Sequence, residues 1–149
     1  ADRVPADPSR PLLTSPGPAP RSKIESDTLR VVSFNIHGGK GDDDVIDLAR
    51  TAEVIGPCDL AGLYEVRHTG LGDNQAAILG SHLGLSSWFA ATERHWWREH
   101  FGNGLLSRVT PAAIQRIPLP GTRGKAFRNA ILAHVPWRDQ MLKVLAVHI

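Results

Sequence analysis

Leu29-Arg30-Val31-Val32-Ser33-Phe34-Asn35-Ile36 opens the ordered part of the chain, and its reading decides the fold. The octapeptide is rich in β-branched residues and is bounded by Gly38-Gly39, the pattern of a strand running into a turn. Asp42-Asp43-Asp44 then offers helix-capping side chains, and Val45, Leu48, Ala49, Ala52 and Ile55 follow at helical spacing until Gly56-Pro57 stops them. Asp59 to Val66 reads as a second buried strand. Strand, helix and strand at this length make a βαβ unit.

Working outward, a second helix is predicted from about Asp73 to Leu83, with Ala76, Ala77, Leu79 and Leu83 facing inward. Four strands are predicted next, at Trp88–Ala91, Gly104–Ser107, Ala112–Ile117 and Ala130–Val135. The apolar stretch Met141–Ile149 closes the chain as a core strand that looks cut. Helices early and strands late indicate an α/β or α+β layered sheet. Residues 1–28 carry six prolines and almost no apolar periodicity, so they read as a disordered leader or linker.

Composition bounds the chemistry. Hydrophobic content of 42% and charged content of 21% are those of an ordinary globular domain. Residues 1–90 hold 8 Lys/Arg against 12 Asp/Glu, whereas residues 91–149 hold 9 against 3. An acidic first part beside a basic second part suits a cation and an anionic substrate held together, and equally suits an unevenly solvated surface. Cys58 is the sole cysteine, which excludes an internal disulfide and a Cys-cluster metal site. No apolar run reaches the ~20 residues of a membrane span. The chain begins with Ala, so compartment stays open between cytoplasm and, after removal of an upstream signal or anchor, export.

Two polar residues stand at strand ends. Asn35 follows the run Val31–Phe34, where an amide can orient a metal-bound water or a phosphate oxygen, or simply form a turn. Glu65 ends an otherwise uncharged strand, so its carboxylate must be hydrated, paired or bound to a cation. Mg²⁺ favours such oxygen ligands, and a salt bridge to Arg67 is the competing reading. His37 adjoins Asn35 and could sit at the mouth of the site, but a loop His beside glycines reads as solvent-facing and is given no role. Glu93–His100 interleaves aromatic and basic residues, and suits base stacking, a lipid headgroup surface or the covering of a sheet edge.

Taken together, SFNIHGG at 33–39, LYEV at 63–66, GNGLLSR at 102–108, FRNAIL at 127–132 and VLAVHI at 144–149 occur in an order that resembles the endonuclease/exonuclease/phosphatase superfamily. The resemblance covers residues 29–149. It implies a deoxyribonuclease I-like four-layer α/β sandwich of which about the first half is present. It further implies that Glu65 is a metal ligand, and that Asn35 stands beside the Mg²⁺ or Mn²⁺ as ligand or water-orienting amide. Arg128 and Asn103 become phosphate contacts, and His148 a catalytic residue near the scissile phosphate. Ser107 and Arg108 become structural supports. Tyr64 departs from the Gln that usually precedes the metal-ligating Glu.

The implied activity is metal-dependent hydrolysis of a phosphoester, whether nucleic acid, phospholipid headgroup or sugar phosphate, with the basic second half favouring nucleic acid. The superfamily's GD-x-N and Ser-Asp-His elements do not occur in the 149 residues. The expectation is therefore little or no turnover by this chain, with a non-catalytic binding module or degenerate pseudoenzyme fragment as the alternative. A half-domain is also expected to expose the sheet face that meets the second sheet, and to associate through it.

Overall fold

The structure, a computed structural model, describes residues 4–69, 71–95, 98–120 and 127–149. The chain forms β1 (Val4–Pro5), β2 (Leu13–Ser15), β3 (Val31–Asn35), a short 3₁₀ turn (His37–Gly39), α1 (Leu48–Ile55), β4 (Leu60–Arg67) and α2 (Gln75–Leu83). The strands β5 (Ser86–His95), β6 (Arg98–Ser107), β7 (Ala113–Leu119), β8 (Arg128–Trp137) and β9 (Gln140–Val147) complete it. Among the described residues, no helix is long and apolar enough to cross a membrane.

Three layers result. The helices cover one face of a six-stranded sheet ordered β1-β5-β6-β4-β3, with β2 also on β5. A three-stranded antiparallel sheet, β7-β8-β9, covers the other face. The expected βαβ unit is present, with β3 and β4 parallel and paired from Val31↔Leu60 to Asn35↔Tyr64. β3 is an edge strand, however, and alternates exposed and half-buried positions instead of forming a buried run.

The helix boundaries follow from side-chain chemistry. α1 is capped by Asp47, which accepts from the Arg50 amide, and not by Asp42–Asp44. Asp43 is taken up instead by the Val45 amide and the Arg50 guanidinium. Val45 consequently lies in a loop, 54% exposed. Gly56 ends α1 as expected, and Asn74 caps α2 through the Ala77 amide.

Two cores flank the larger sheet. Towards the helices, Ala61, Leu63 and Val66 of β4 pack with Ala52, Ile55, Ala76, Leu79, Phe89 and Leu106. Towards the second sheet, Leu60, Ala90 and Leu105 pack with Ile131, Ala133, Val135 and Ala146. Each fully buried Leu or Phe contributes roughly 1.5–3 kcal/mol, so both interfaces count. The sheet face expected to stand open is therefore covered, because β7, β8 and β9 fold back onto it. On β9 itself, Met141 and Leu145 remain more than half exposed, at 53% and 58%.

Residues 4–28 are not a detached leader. β1 pairs with β5 at Val4↔Arg94, and β2 pairs with β5 from Leu13↔Phe89 to Ser15↔Ser87. Ile24 is 2% exposed in the inter-sheet core, and Trp137 Nε1 donates to the Ser26 carbonyl at 2.8 Å. The prolines are tolerated because an edge strand needs few of its N–H groups. Lacing the edge of β5 with two short, interrupted strands also shields it from other chains.

Candidate functional site

Glu65 owes its position to a backbone irregularity. Leu63 pairs with Gly104 and Val66 with Gly102, so Tyr64 and Glu65 together oppose Asn103 alone. This bulge keeps Leu63 and Val66 both on the helix-side core and frees Glu65 from the strand's alternation. Glu65 takes φ +58°, a left-handed conformation that costs a non-glycine residue about 1 kcal/mol. Bulges and such strain recur beside functional sites because both re-aim a side chain.

Around that carboxylate the end of β3 and the 3₁₀ turn supply partners. Asn35 Nδ2 donates to Glu65 Oε1 at 3.0 Å, and Asn35 Oδ1 accepts the His37 amide at 2.9 Å. His37 Nδ1 lies 3.1 Å from Glu65 Oε2. Donation from Asn35 is the main reason the Glu65 carboxyl sits below its usual range; partial burial works against this, and His37 and His148 add to it. Glu65 is thus a fixed, ionised oxygen donor with limited solvent access. Arg67, its alternative partner, instead runs along Gly38, where a Cβ would lie 2.8 Å from the Arg67 Nε.

His148 stands one residue beyond β9 and is half-buried. Its ring stacks on Tyr64, with centroids 5.4 Å apart and planes 26° from parallel. Tyr64 in turn receives a hydrogen bond from Ser33 Oγ at 3.3 Å and lies over Gly62, where a Cβ would come 3.0 Å from the phenol oxygen. The departure at Tyr64 thus has a consequence: its ring joins the end of β9 to β4 and brings His148 towards Glu65.

The structure therefore brings Asn35, Glu65 and His148 together, and leaves the other two sequence candidates apart. Asn103 is 2% exposed, and its Nδ2 donates to both the carbonyl and the Oδ1 of Asn129 at 3.0 Å. Asn129 Nδ2 bonds the Ala90 and Ala91 carbonyls. The side chain assigned to phosphate at Asn103 thus directs its Nδ2 between the two sheets and helps hold them together. Its flanking glycines serve other contacts: a Cβ on Gly102 would strike the Ala90 carbonyl of the neighbouring strand, and one on Gly104 would meet the Ala76 Cβ of α2 at 2.9 Å.

Arg128 heads β8, beside Asn129, and lines a crevice with Pro5, Pro8, Thr92 and Arg116. It shares the bulge's end of the sandwich without touching Glu65 through any described interaction. Ser107 and Arg108 are supports, as expected. Ser107 Oγ donates to the Val109 carbonyl, and Arg108 binds Asp59 and the Cys58 carbonyl. Within Glu93–His100, residues up to His95 extend β5 and those from Arg98 extend β6, while Trp96 and Trp97 lie outside the described residues.

His37 is the residue that sequence reasoning missed. Its only signal was its place two residues after Asn35, where a turn folds it back over the strand end. A cation fits the donor set: Glu65 is ionised and held at one oxygen by Asn35, with Oε2 directed at His37. Among the described residues no group of three or more His, Cys, Asp and Glu converges, so water and substrate oxygens would complete such a shell.

No family model and no curated protein matches the chain. Its fold is similar to that of an endonuclease/exonuclease/phosphatase family protein from Leptotrichia buccalis C-1013-b, with a TM-score of 0.59, 16% sequence identity and 82% of this chain covered. The match covers 55% of that protein, so the chain spans about half its length. At this identity the likeness establishes the α/β, deoxyribonuclease I-like fold, for part of such a domain.

Proposed function

We propose that this chain is the N-terminal portion of a metal-dependent phosphoester hydrolase, and that Glu65 and Asn35 form the cation-holding part of its site. The observation that carries the reading is the bulged, left-handed Glu65, whose carboxylate is held by Asn35 across two parallel strands. The bulge serves the packing of Leu63 and Val66, but the Glu65 side chain is only half-buried and fills no core. Strain kept at the carboxyl end of a strand is what a ligand site needs.

Glu65 would hold Mg²⁺ or Mn²⁺, with Asn35 fixing the carboxylate's orientation. A divalent cation at this place supplies neutralisation of charge on phosphoester oxygens. His148, set by its stack on Tyr64, faces the same region and can donate a ring N–H to a phosphate oxygen. Arg128, at the same end of the sandwich, offers a planar phosphate contact. Nucleic acid is the favoured substrate class, given the excess of 9 Lys/Arg over 3 Asp/Glu in residues 91–149.

A second reading is a binding module without turnover, since these 149 residues hold the Glu65–Asn35 pair and do not include GD-x-N or Ser-Asp-His. These residues alone are expected to bind cation and phosphate and to turn over slowly or not at all. Isothermal titration with Mg²⁺ and Mn²⁺ tests the cation site. Heat that vanishes in Glu65→Ala supports it, and the absence of heat up to millimolar cation contradicts it. A nitrophenyl phosphodiester added to the loaded protein then separates hydrolysis from binding alone.

A further inference from the structure

The turn that carries His37 is braced more firmly than a solvent-facing loop requires. His37 itself has φ +48°, again the left-handed region that side chains other than glycine adopt at a cost of about 1 kcal/mol. Its amide is held by Asn35 Oδ1, and the next carbonyl, that of Gly38, accepts from the buried Gln75 Nε2 at 2.7 Å. Gln75 also accepts the Arg67 amide at 3.0 Å, which ties the turn to the end of β4. The ring so positioned buries little, with 69% of the His37 side chain exposed. Its fixed feature is Nδ1, which faces Glu65 Oε2.

Asn35 has both ends of its amide engaged in holding this pair, one on Glu65 and one on the His37 backbone. The two atoms left facing each other are an imidazole nitrogen and a carboxylate oxygen 3.1 Å apart. Bonds to a six-coordinate divalent cation are about 2.0–2.2 Å, which places adjacent ligand atoms about 3 Å apart. The observed spacing therefore suits a shared cation as well as a shared proton. Imidazole suits later transition metals such as Co²⁺ and Zn²⁺, Mn²⁺ less, and is a poor ligand for Mg²⁺.

We propose that His37, through Nδ1, is a second protein ligand to the cation held by Glu65, and that it gives the site a preference for transition metals over Mg²⁺. This rests on the reading of Glu65 as a cation ligand. His37 positions and selects the metal; the oxygen donor Glu65 is required for any metal.

The test uses the whole 149-residue chain with Co²⁺, Mn²⁺ and Mg²⁺ as probes, in wild type, His37→Ala and Glu65→Gln, after circular dichroism confirms folding. Calorimetry gives the affinities, the visible spectrum of bound Co²⁺ reports nitrogen ligation, and the His37 ring ¹⁵N shift is followed on adding Zn²⁺. Expected in wild type is Co²⁺ binding at least about tenfold tighter than Mg²⁺, with Mn²⁺ between the two. His37→Ala should lose about 10–100-fold for Co²⁺ while Mg²⁺ changes little, and the Co²⁺ spectrum should shift. If His37→Ala leaves the Co²⁺ affinity and spectrum unchanged while Glu65→Gln abolishes binding, His37 is no ligand and the proposed function stands. If wild type binds none of the three ions, both readings fall.

Discussion

The Asn35 amide donates to the Glu65 carboxylate at 3.0 Å between the ends of two parallel strands. Strand register alone would not produce this contact, because Asn35 pairs with Tyr64 and not with Glu65. The bulge at Tyr64 and Glu65 brings the carboxylate back over the strand end. A backbone irregularity in β4 and a polar residue closing β3 thus make one unit.

Asn35 is the first cause of the low Glu65 carboxyl, so Asn35→Ala should raise that group towards its ordinary value of 4.5. A carboxyl lowered in the folded state adds stability that is fully present above the ordinary value. That stability is lost as pH falls through the lowered, folded-state value. The wild type's advantage over Asn35→Ala should therefore be largest near neutral pH and shrink on acidification. Carboxyl ¹³C titration of Glu65, with urea denaturation at neutral and acidic pH, checks both statements.

Backbone strain at Glu65 predicts an unusual ranking of substitutions. With φ at +58°, Glu65→Gly should be more stable than Glu65→Ala by about 1 kcal/mol, although both remove the carboxylate. Equal stability by chemical denaturation would mean that the left-handed conformation is not held in solution.

The Asn103–Asn129 contact should matter to stability and not to cation binding. Asn129→Ala removes the side-chain donor to the Ala90 and Ala91 carbonyls and one of the two acceptors of the Asn103 amide, leaving it the Asn129 carbonyl, at a cost of about 1–3 kcal/mol. Asn103→Ala should fall in the same range, and the double variant should cost less than the sum because the two side chains share a bond. Calorimetric affinity for Mn²⁺ should stay within about twofold of wild type in each variant that folds. The bound follows from the Asn103 amide, which bonds Asn129 between the sheets and not the Glu65 carboxylate.

Ile24 distinguishes an integrated N-terminal segment from a leader. At 2% exposure in the inter-sheet core, its replacement by Ala should cost about 2–4 kcal/mol. A disordered leader would show no change in the denaturation midpoint.

The βαβ unit was legible because its periodicities are local: β-branched residues to Phe34, apolar positions at helical spacing to Ile55, and an uncharged run before Glu65. The remaining features depend on partners distant in sequence. Residues 4–28 pair mainly through backbone groups on the edge of β5, which leaves no apolar periodicity to read. Asn103 was placed at the site by the family resemblance of its GNGLLSR motif, and only Asn129, 26 residues on, shows that its amide turns between the sheets. His37 was read as solvent-facing, and it is exposed; what the sequence lacked was the left-handed turn that aims Nδ1 at Glu65. The covering of the larger sheet's second face required knowing that β7, β8 and β9 pair with one another.

The central claim is that a divalent cation binds at Glu65, with Asn35 and His148 beside it. Titrating the ¹⁵N-labelled chain with Mg²⁺ while recording amide and side-chain correlations tests it most directly. The account predicts saturable shifts concentrated at the Asn35 side-chain amide, the 35–39 turn, Tyr64, Glu65 and His148, and their loss in Glu65→Ala. Shifts that are absent at millimolar cation, or that cluster elsewhere and persist in Glu65→Ala, would contradict it.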